Sequence, residues 1–375
     1  MSSQTAGRPL DGFQIIEACS YISGPYCAMI LADLGADVIK VEPIQGDPYR
    51  SFGHNKDGLS AVWVNVNRGK RSVALDLKSE DGQAQLLKLV AGADMFIENW
   101  RPHVANNLGL GVDKIAALNP RLIRMSITGF GEDGELSSAP AFDALIQGRT
   151  GIVAAPNEGA RNDATPFYMV DKTSAMFAAQ AALAALLGRE RTGKAEHVRL
   201  NLLDTAAYFN FPELFQHRTF IGDEAKWRPS PSPILETADG WIVLSPVSGK
   251  QLSRTLEVVG RPEWKNDFKN IPDRVEMAHQ FFQRIAPEIK LKDSAHWIAA
   301  FEAADVPVGP VYDADKHLAD PQVANNGLYS RGGSPKGEVR TIRYPATFDG
   351  KHMGPTRPAP ALGEHNDTVM TTQNA

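Results

Sequence analysis

The chain has 375 residues, 43% hydrophobic and 22% charged, an ordinary globular balance with apolar material enough for two domains. Its formal net charge of −5 speaks against a nucleic-acid or anionic-membrane partner. Cys19 and Cys27 are too few for a disulfide framework, the first twelve residues carry no apolar signal region, and no run approaches the ~20 apolar residues of a bilayer span, so reduced thiols and a cytoplasmic location are expected.

In chain order, residues 13–19 predict a strand, Ser23-Gly24-Pro25 a turn into a helix over 26–34 that stops at Gly35, and residues 38–41 the next strand, which completes a βαβ unit. The alternation continues with a strand at 72–77, a helix at 83–90, a strand at 95–97, a helix at 112–118 and a strand at 122–127. This pattern predicts an α/β class with a doubly wound (Rossmann-like), mostly parallel sheet. Residues 175–187 are alanine-rich and predict a buried helix. After about Asp204 the character changes. Residues 226–233, rich in proline and serine, read as a connection. A strand at 240–244 and helices at 252–259, 275–285 and 295–304 then predict a smaller, separate domain. From about Leu318 the proline- and glycine-rich tail shows little regular pattern.

The common cofactor signatures are missing. Gly24 stands alone where a dinucleotide site needs three glycines, and Gly129-Phe130-Gly131 with Gly134 matches G-x-G-x-x-G but is followed by a loop rather than a rising helix. No P-loop, zinc-ligand spacing or G-x-S-x-G elbow is present. The remaining candidate is a carboxylate. Asp171 follows a strand-like run at 167–170 and opens the alanine-rich helix, which places it as an N-cap. As a cap alone it would accept a backbone N–H bond worth ~1 kcal/mol. The same position would suit a nucleophile, because a helix N-terminus favours an anion and keeps the carboxylate ionised. Asp204 begins a second helix in the same way, and spacing does not choose between the two.

An ordered set of segments resembles the class III CoA-transferase family, also called the CaiB/BaiF family. It comprises Gly24-Pro25, residues 31–42 (LADLGADVIKVE), Gly46-Asp47-Pro48, Asn67 with residues 70–77 (KRSVALDL), and Glu98-Asn99-Trp100-Arg101-Pro102. Gly129-Phe130-Gly131, Phe142-Asp143, Asp171 and Leu362-Gly363-Glu364-His365 complete it, in family order over nearly the whole chain. The resemblance implies a large domain built from both chain ends, at 1–205 and 318–375, a linker at 206–233 and a small α+β domain at 234–317. It also implies an interlocked homodimer, which a long segment such as 216–233 would accommodate.

By that resemblance Asp171, not Asp204, is the nucleophile toward an acyl-CoA thioester, forming a mixed anhydride and then an aspartyl-CoA thioester that a carboxylic acid acceptor resolves. Coenzyme A would be a substrate held by Tyr21, Ile22 and Ser23, by Gly69, Lys70 and Arg71, and by Asn99, Trp100 and Arg101, with no metal and no permanently bound cofactor. Lys70, Arg71 and Arg101 offer donors to phosphates. Related racemases carry a histidine at the position of Phe142, which cannot exchange a proton, so racemisation is the alternative and a CoA-binding protein without turnover a third. Members specific for oxalate carry glutamine at Ile22, tyrosine at Phe142 and a longer glycine-rich loop near 248–250, which makes this pocket the less polar one. Pro43 replaces a family arginine and alters the corner that holds the adenosine.

Overall fold

Six short strands account for the buried apolar runs of the first half. They are β1 (Gln14–Ala18), β2 (Asp37–Glu42), β3 (Arg71–Ala74), β4 (Met95–Glu98), β5 (Ile123–Thr128) and β6 (His197–Asn201). All neighbours pair in parallel, in the order β3-β2-β1-β4-β5-β6. The order reverses between β1 and β4, and such a reversal opens a crevice at the carboxyl ends of the strands. A computed structural model describes residues 7–153, 164–223, 230–334 and 336–372. It resolves into two units, Met1–Gln216 with Gly327–Ala375, and His217–Asn326.

The helices around this sheet are α1 (Ser23–Asp33), α2 (Ala61–Asn67), α3 (Glu80–Ala91), α4 (Pro102–Asn107), α5 (Val112–Leu118), α6 (Asp143–Arg149), α7 (Met169–Thr192) and α8 (Leu202–Leu214). Alternate strand residues serve opposite faces. Ile15, Val38, Ile97 and Met125 pack against α1 and the alanine face of α7, while Ile16, Ile39, Val73 and Phe96 pack against α3 and α5. A sheet buried on both faces needs strands that are apolar nearly throughout. The alanines of α7, among them Ala175, Ala178 and Ala182, combine high helix propensity with room for close approach. Gly24 has a similar reason. A Cβ there would stand 2.3 Å from Cys19 Sγ, so only glycine lets α1 pack onto the end of β1.

A cluster of charged side chains lies inside this apolar frame. Glu17 bridges Lys40 at 2.8 Å and Lys70 at 2.7 Å, and Lys40 reaches Asp47 at 3.1 Å. Lys70 Nζ also donates to the carbonyl of Pro25 and to Asn67 Oδ1, both at 2.8 Å.

The expected linker start at 206 falls inside α8, which runs on to Leu214. Residues 226–229 of the proline- and serine-rich connection lie outside the described residues. The second unit holds an antiparallel sheet in which β8 (Trp241–Leu244) lies between β7 (Ile234–Glu236) and β9 (Val308–Pro310). Helices α9 (Gly249–Val258), α10 (Arg274–Ile289) and α11 (Ser294–Ala303) enclose a core of Leu235, Ile242, Leu256, Phe281, Trp297 and Phe301.

The tail is more regular than its composition predicts. Tyr329–Ser334 and Gly337–Ile342 form the hairpin β10–β11, and Asn366–Thr372 forms α12. The chain just before α12 seals the edge strand β3. His365 N–H donates to the carbonyl of Ser72 at 2.9 Å, and Ala74 N–H donates to Asn366 Oδ1, also at 2.9 Å. Glycine and proline mark this stretch as irregular, but the hairpin pairs with itself and residues 363–366 are ordered by a strand edge laid down nearly 300 residues earlier.

Candidate active site

The crevice between β1 and β4 is braced by one side chain. Asn99 Oδ1 accepts the Ser20 N–H at 3.0 Å and Asn99 Nδ2 donates to the Ser20 carbonyl at 2.8 Å, so the two strand ends are held in fixed register. Beside this clamp opens a cavity of about 840 Å³ within the first unit. Tyr21, Ile22, Ser23, Asn99, Trp100 and Arg101 all line it, and so does Asp171 from the start of α7. Phe142 and Asp143, at the start of α6, complete the wall next to Asp171.

Asp171 is not the N-cap that its spacing suggests. The run at 167–170 forms no strand, and α7 already begins at Met169, with Tyr168 as its cap in a left-handed conformation (φ 47°, ψ 53°). Tyr168 offers no side-chain acceptor, so the first turn is satisfied from elsewhere. Asp143 Oδ2 accepts the Asp171 N–H at 3.0 Å. The other oxygen of Asp143 accepts from Gln147 Nε2, and Gln147 Oε1 accepts the Thr165 N–H at 2.8 Å. One buried carboxylate thus joins α6, the Thr165 segment and the N-terminus of α7.

The electrostatics also reverse an expectation. A helix N-terminus favours an anion, yet burial first and the neighbouring charge of Asp143 second raise the Asp171 carboxyl to about 7. Desolvation and a like charge outweigh the helix dipole, whose effect is worth roughly 0.3–1 kcal/mol at exposed sites. Asp204 lies in a different setting. It is exposed on the first turn of α8, its own N–H donates to Asn201 Oδ1 at 2.7 Å, and it does not line the cavity.

Tyr21 is the second non-glycine residue of the cavity in the left-handed region, with φ 66°. Such a conformation costs of order 1–3 kcal/mol and persists only where the surroundings impose it. Asp47 Oδ1 accepts the N–H groups of Tyr21, at 3.3 Å, and Tyr49, at 2.9 Å. Its other oxygen faces Lys40. The buried Lys70–Glu17–Lys40 cluster therefore reaches the cavity wall through Asp47.

That arrangement corrects the expected ligand role of Lys70. Its side chain is 0% exposed and its ammonium is directed at Glu17, Pro25 and Asn67, so no donor is left for a phosphate. Burial and Lys40 lower its pKa to about 8 against the pull of Glu17. Gly69 and Arg71 border a separate cavity of about 490 Å³, where Arg71 Nε donates to Asp37 Oδ1 at 3.0 Å. Of the cationic side chains expected to hold coenzyme A, Arg101 alone lines the cavity of Asp171.

Asp143, Gln147, Tyr49 and Phe52 were assigned no role from the sequence. The i, i+4 spacing of Asp143 and Gln147 on a short helix is a signal for their contact. Nothing local announces that the pair reaches Asp171, 28 residues on. Among the described residues no group of three or more His, Cys, Asp or Glu side chains is disposed to hold a metal ion. Among them, too, no helix is long and apolar enough to cross a membrane.

Residues 10–366 match the model of CoA-transferase family III. A succinate–glutarate CoA-transferase of Agrobacterium fabrum is 33% identical over 96% of this chain and 95% of its own. A probable fatty acyl-CoA transferase of Mycobacterium tuberculosis is 30% identical over 99% of both chains. Among solved structures, a CAIB/BAIF family protein of Brucella suis superposes with a TM-score of 0.85, at 28% identity, over 98% of this chain and all of that one.

Proposed function

Because the chain belongs to CoA-transferase family III and is a CoA-transferase, we propose that it moves coenzyme A from an acyl-CoA thioester to a carboxylic acid through Asp171. The observation that carries this reading is the position of Asp171, which opens into the same cavity as the clamped ends of β1 and β4.

In the proposed sequence, an Asp171 carboxylate oxygen attacks the thioester carbonyl. The C–S bond breaks, coenzyme A leaves as thiolate, and the acyl group becomes a mixed anhydride with Asp171. The thiolate then attacks the Asp171 carbonyl carbon and expels the donor carboxylate, which leaves an aspartyl-CoA thioester. The acceptor carboxylate reverses both steps, and no proton is gained or lost overall. A carboxylate this poorly solvated is a stronger nucleophile than one in water, at the cost of a smaller ionised fraction below pH 7. Asp143 acts by position, since it fixes the backbone from which Asp171 reaches the thioester. With its own N–H given to Asp143, Asp171 does not supply an oxyanion donor, and that role falls to other groups of the wall.

We assign Arg101 to the phosphates of coenzyme A, and Tyr21, Ile22, Ser23, Asn99 and Trp100 to the walls of the thioester channel. A homodimer and a cytosolic location belong to the same proposal. The exposed Tyr208, Phe209 and Phe211 of α8 offer apolar surface for a second chain, and both cysteines are free and buried. Phe142 stands in the cavity without a titratable group, which disfavours the two-base racemase chemistry.

The test is to incubate the protein with an acyl-CoA, trap with hydroxylamine, and map the modified peptide by mass. Modification at Asp171, lost together with turnover in Asp171→Ala, supports the assignment. Undiminished CoA transfer by Asp171→Ala would falsify it.

A further inference from the structure

Four aromatic rings form a continuous row along the cavity wall. Phe52 stacks on Tyr49 with centroids 5.3 Å apart, Tyr49 meets the edge of Tyr21 at 5.8 Å, and Tyr21 meets the edge of Phe142 at 5.8 Å. The row ends beside the reacting group, because Phe142 directly precedes the Asp143 that holds Asp171. Tyr21, Phe52 and Phe142 are 42%, 48% and 56% exposed, so broad ring surfaces face the cavity rather than the core. Exposed aromatic surface of this extent in a concave site calls for an apolar occupant.

The charges of the wall are as informative. Among the described lining residues they are Asp143, Asp171 and Arg101. Two are carboxylates at the reacting end. Arg101 caps α4 just beyond β4 and is assigned to the phosphates of coenzyme A. A second carboxylate on the substrate would therefore meet like charges and aromatic rings. Burying an unpaired carboxylate is among the costliest changes a site can impose.

We infer that the acyl subsite of this transferase is the Phe52–Tyr49–Tyr21–Phe142 row, and that it takes monocarboxylic acids with an aromatic or branched apolar body and rejects dicarboxylic acids. The inference rests on the transferase reading and adds its substrate class. The raised carboxyl of Asp171 agrees with it, since that shift reports a cavity that disfavours anionic charge.

Isotope exchange between an acid and its own CoA thioester tests this without knowledge of the physiological partner. Labelled benzoate with benzoyl-CoA and labelled 3-methylbutyrate with its thioester are compared with labelled succinate and succinyl-CoA and labelled glutarate and glutaryl-CoA. The apolar pairs are expected to exchange roughly a hundredfold faster in kcat/KM than the dicarboxylate pairs. Dicarboxylate exchange within about tenfold of the apolar pairs overturns the inference and leaves the transferase reading intact. Exchange with none of the pairs overturns the inference, and trapping at Asp171 decides the transferase reading separately. Phe142→Arg, which sets a cation on the row, should shrink the ratio by at least roughly tenfold, and an unchanged ratio removes Phe142 from the acyl subsite.

Discussion

Asp143 Oδ2 accepts the backbone N–H of Asp171 at 3.0 Å while the charge of the same carboxylate raises the Asp171 carboxyl. One neighbour thus bears on both the position and the reactivity of the proposed nucleophile. The hydrogen bond holds the first turn of α7, and the charge adds to burial, the larger cause, in raising the pH at which Asp171 ionises.

The first consequence is a pH profile. The ionised form of Asp171 is the reactive one, so kcat/KM for the acyl-CoA should rise with pH and level off above a midpoint near 7. Asp143→Asn keeps an oxygen for the Asp171 N–H and removes the like charge. Its midpoint should fall by roughly one pH unit, burial holding the rest of the shift. A midpoint that stays near 7 in the variant would show that Asp143 has no electrostatic part in it.

Stability should carry the same signature. The folded Asp171 carboxyl titrates near 7 against an ordinary value of 3.8, so the folded state binds the proton more tightly than the unfolded chain. Wild-type stability should therefore decline from about pH 4 to about pH 7 on account of this group and stay level above. Asp171→Asn, which cannot ionise, should lack that decline. Thermal melts at pH 5 and pH 8 should show the gain in Tm of the variant over wild type to be larger at pH 8.

Lys70 and Arg101 separate a structural cation from a binding one. Lys70→Met leaves Glu17 with one partner and removes the donor to Pro25 and Asn67. It should cost about 3–5 kcal/mol in denaturant unfolding, as breaking a buried ion pair does, with little change in KM for acyl-CoA in the molecules that fold. A large rise in KM at unaltered stability would return Lys70 to the ligand set.

Arg101→Ala should do the opposite. Arg101 has no ion-pair partner among the described residues and begins α4 at an exposed position, so its loss should leave the melting temperature nearly unchanged. KM for the acyl-CoA should rise by roughly ten- to a hundredfold, the worth of a charge-assisted contact to phosphate. Dephospho-coenzyme A thioesters, compared with the full thioesters, report which phosphate the guanidinium serves.

The sheet was largely legible in the residues. Strands buried on both faces carry apolar residues on each, so the Ile, Val, Met and Phe residues of 14–18, 37–42, 95–98 and 123–128 stand out against the polar loops between them. The tail was not legible, because Gly332, Gly333 and Pro345 signal irregular chain although the glycines pair within a local hairpin, and because residues 363–366 are held by Ser72 and Ala74 of a distant edge strand. Lys70 and Arg71 looked like surface donors for the same reason. Nothing next to them in sequence reveals that Glu17 waits in the core for the first and Asp37 at the start of the neighbouring strand β2 for the second.

Asp171 shows where that boundary runs. The sequence alone determined that a carboxylate stands at the start of a long alanine-rich helix, because helix propensity and periodicity are local properties. It also carried the ordered motifs of the family. Only the tertiary structure decided that this carboxylate occupies the third helical position rather than the cap, that Asp143 takes its N–H, and that its pKa rises instead of falling. Burial and like-charge proximity are sums over residues far apart in the chain, and folding alone brings those residues together.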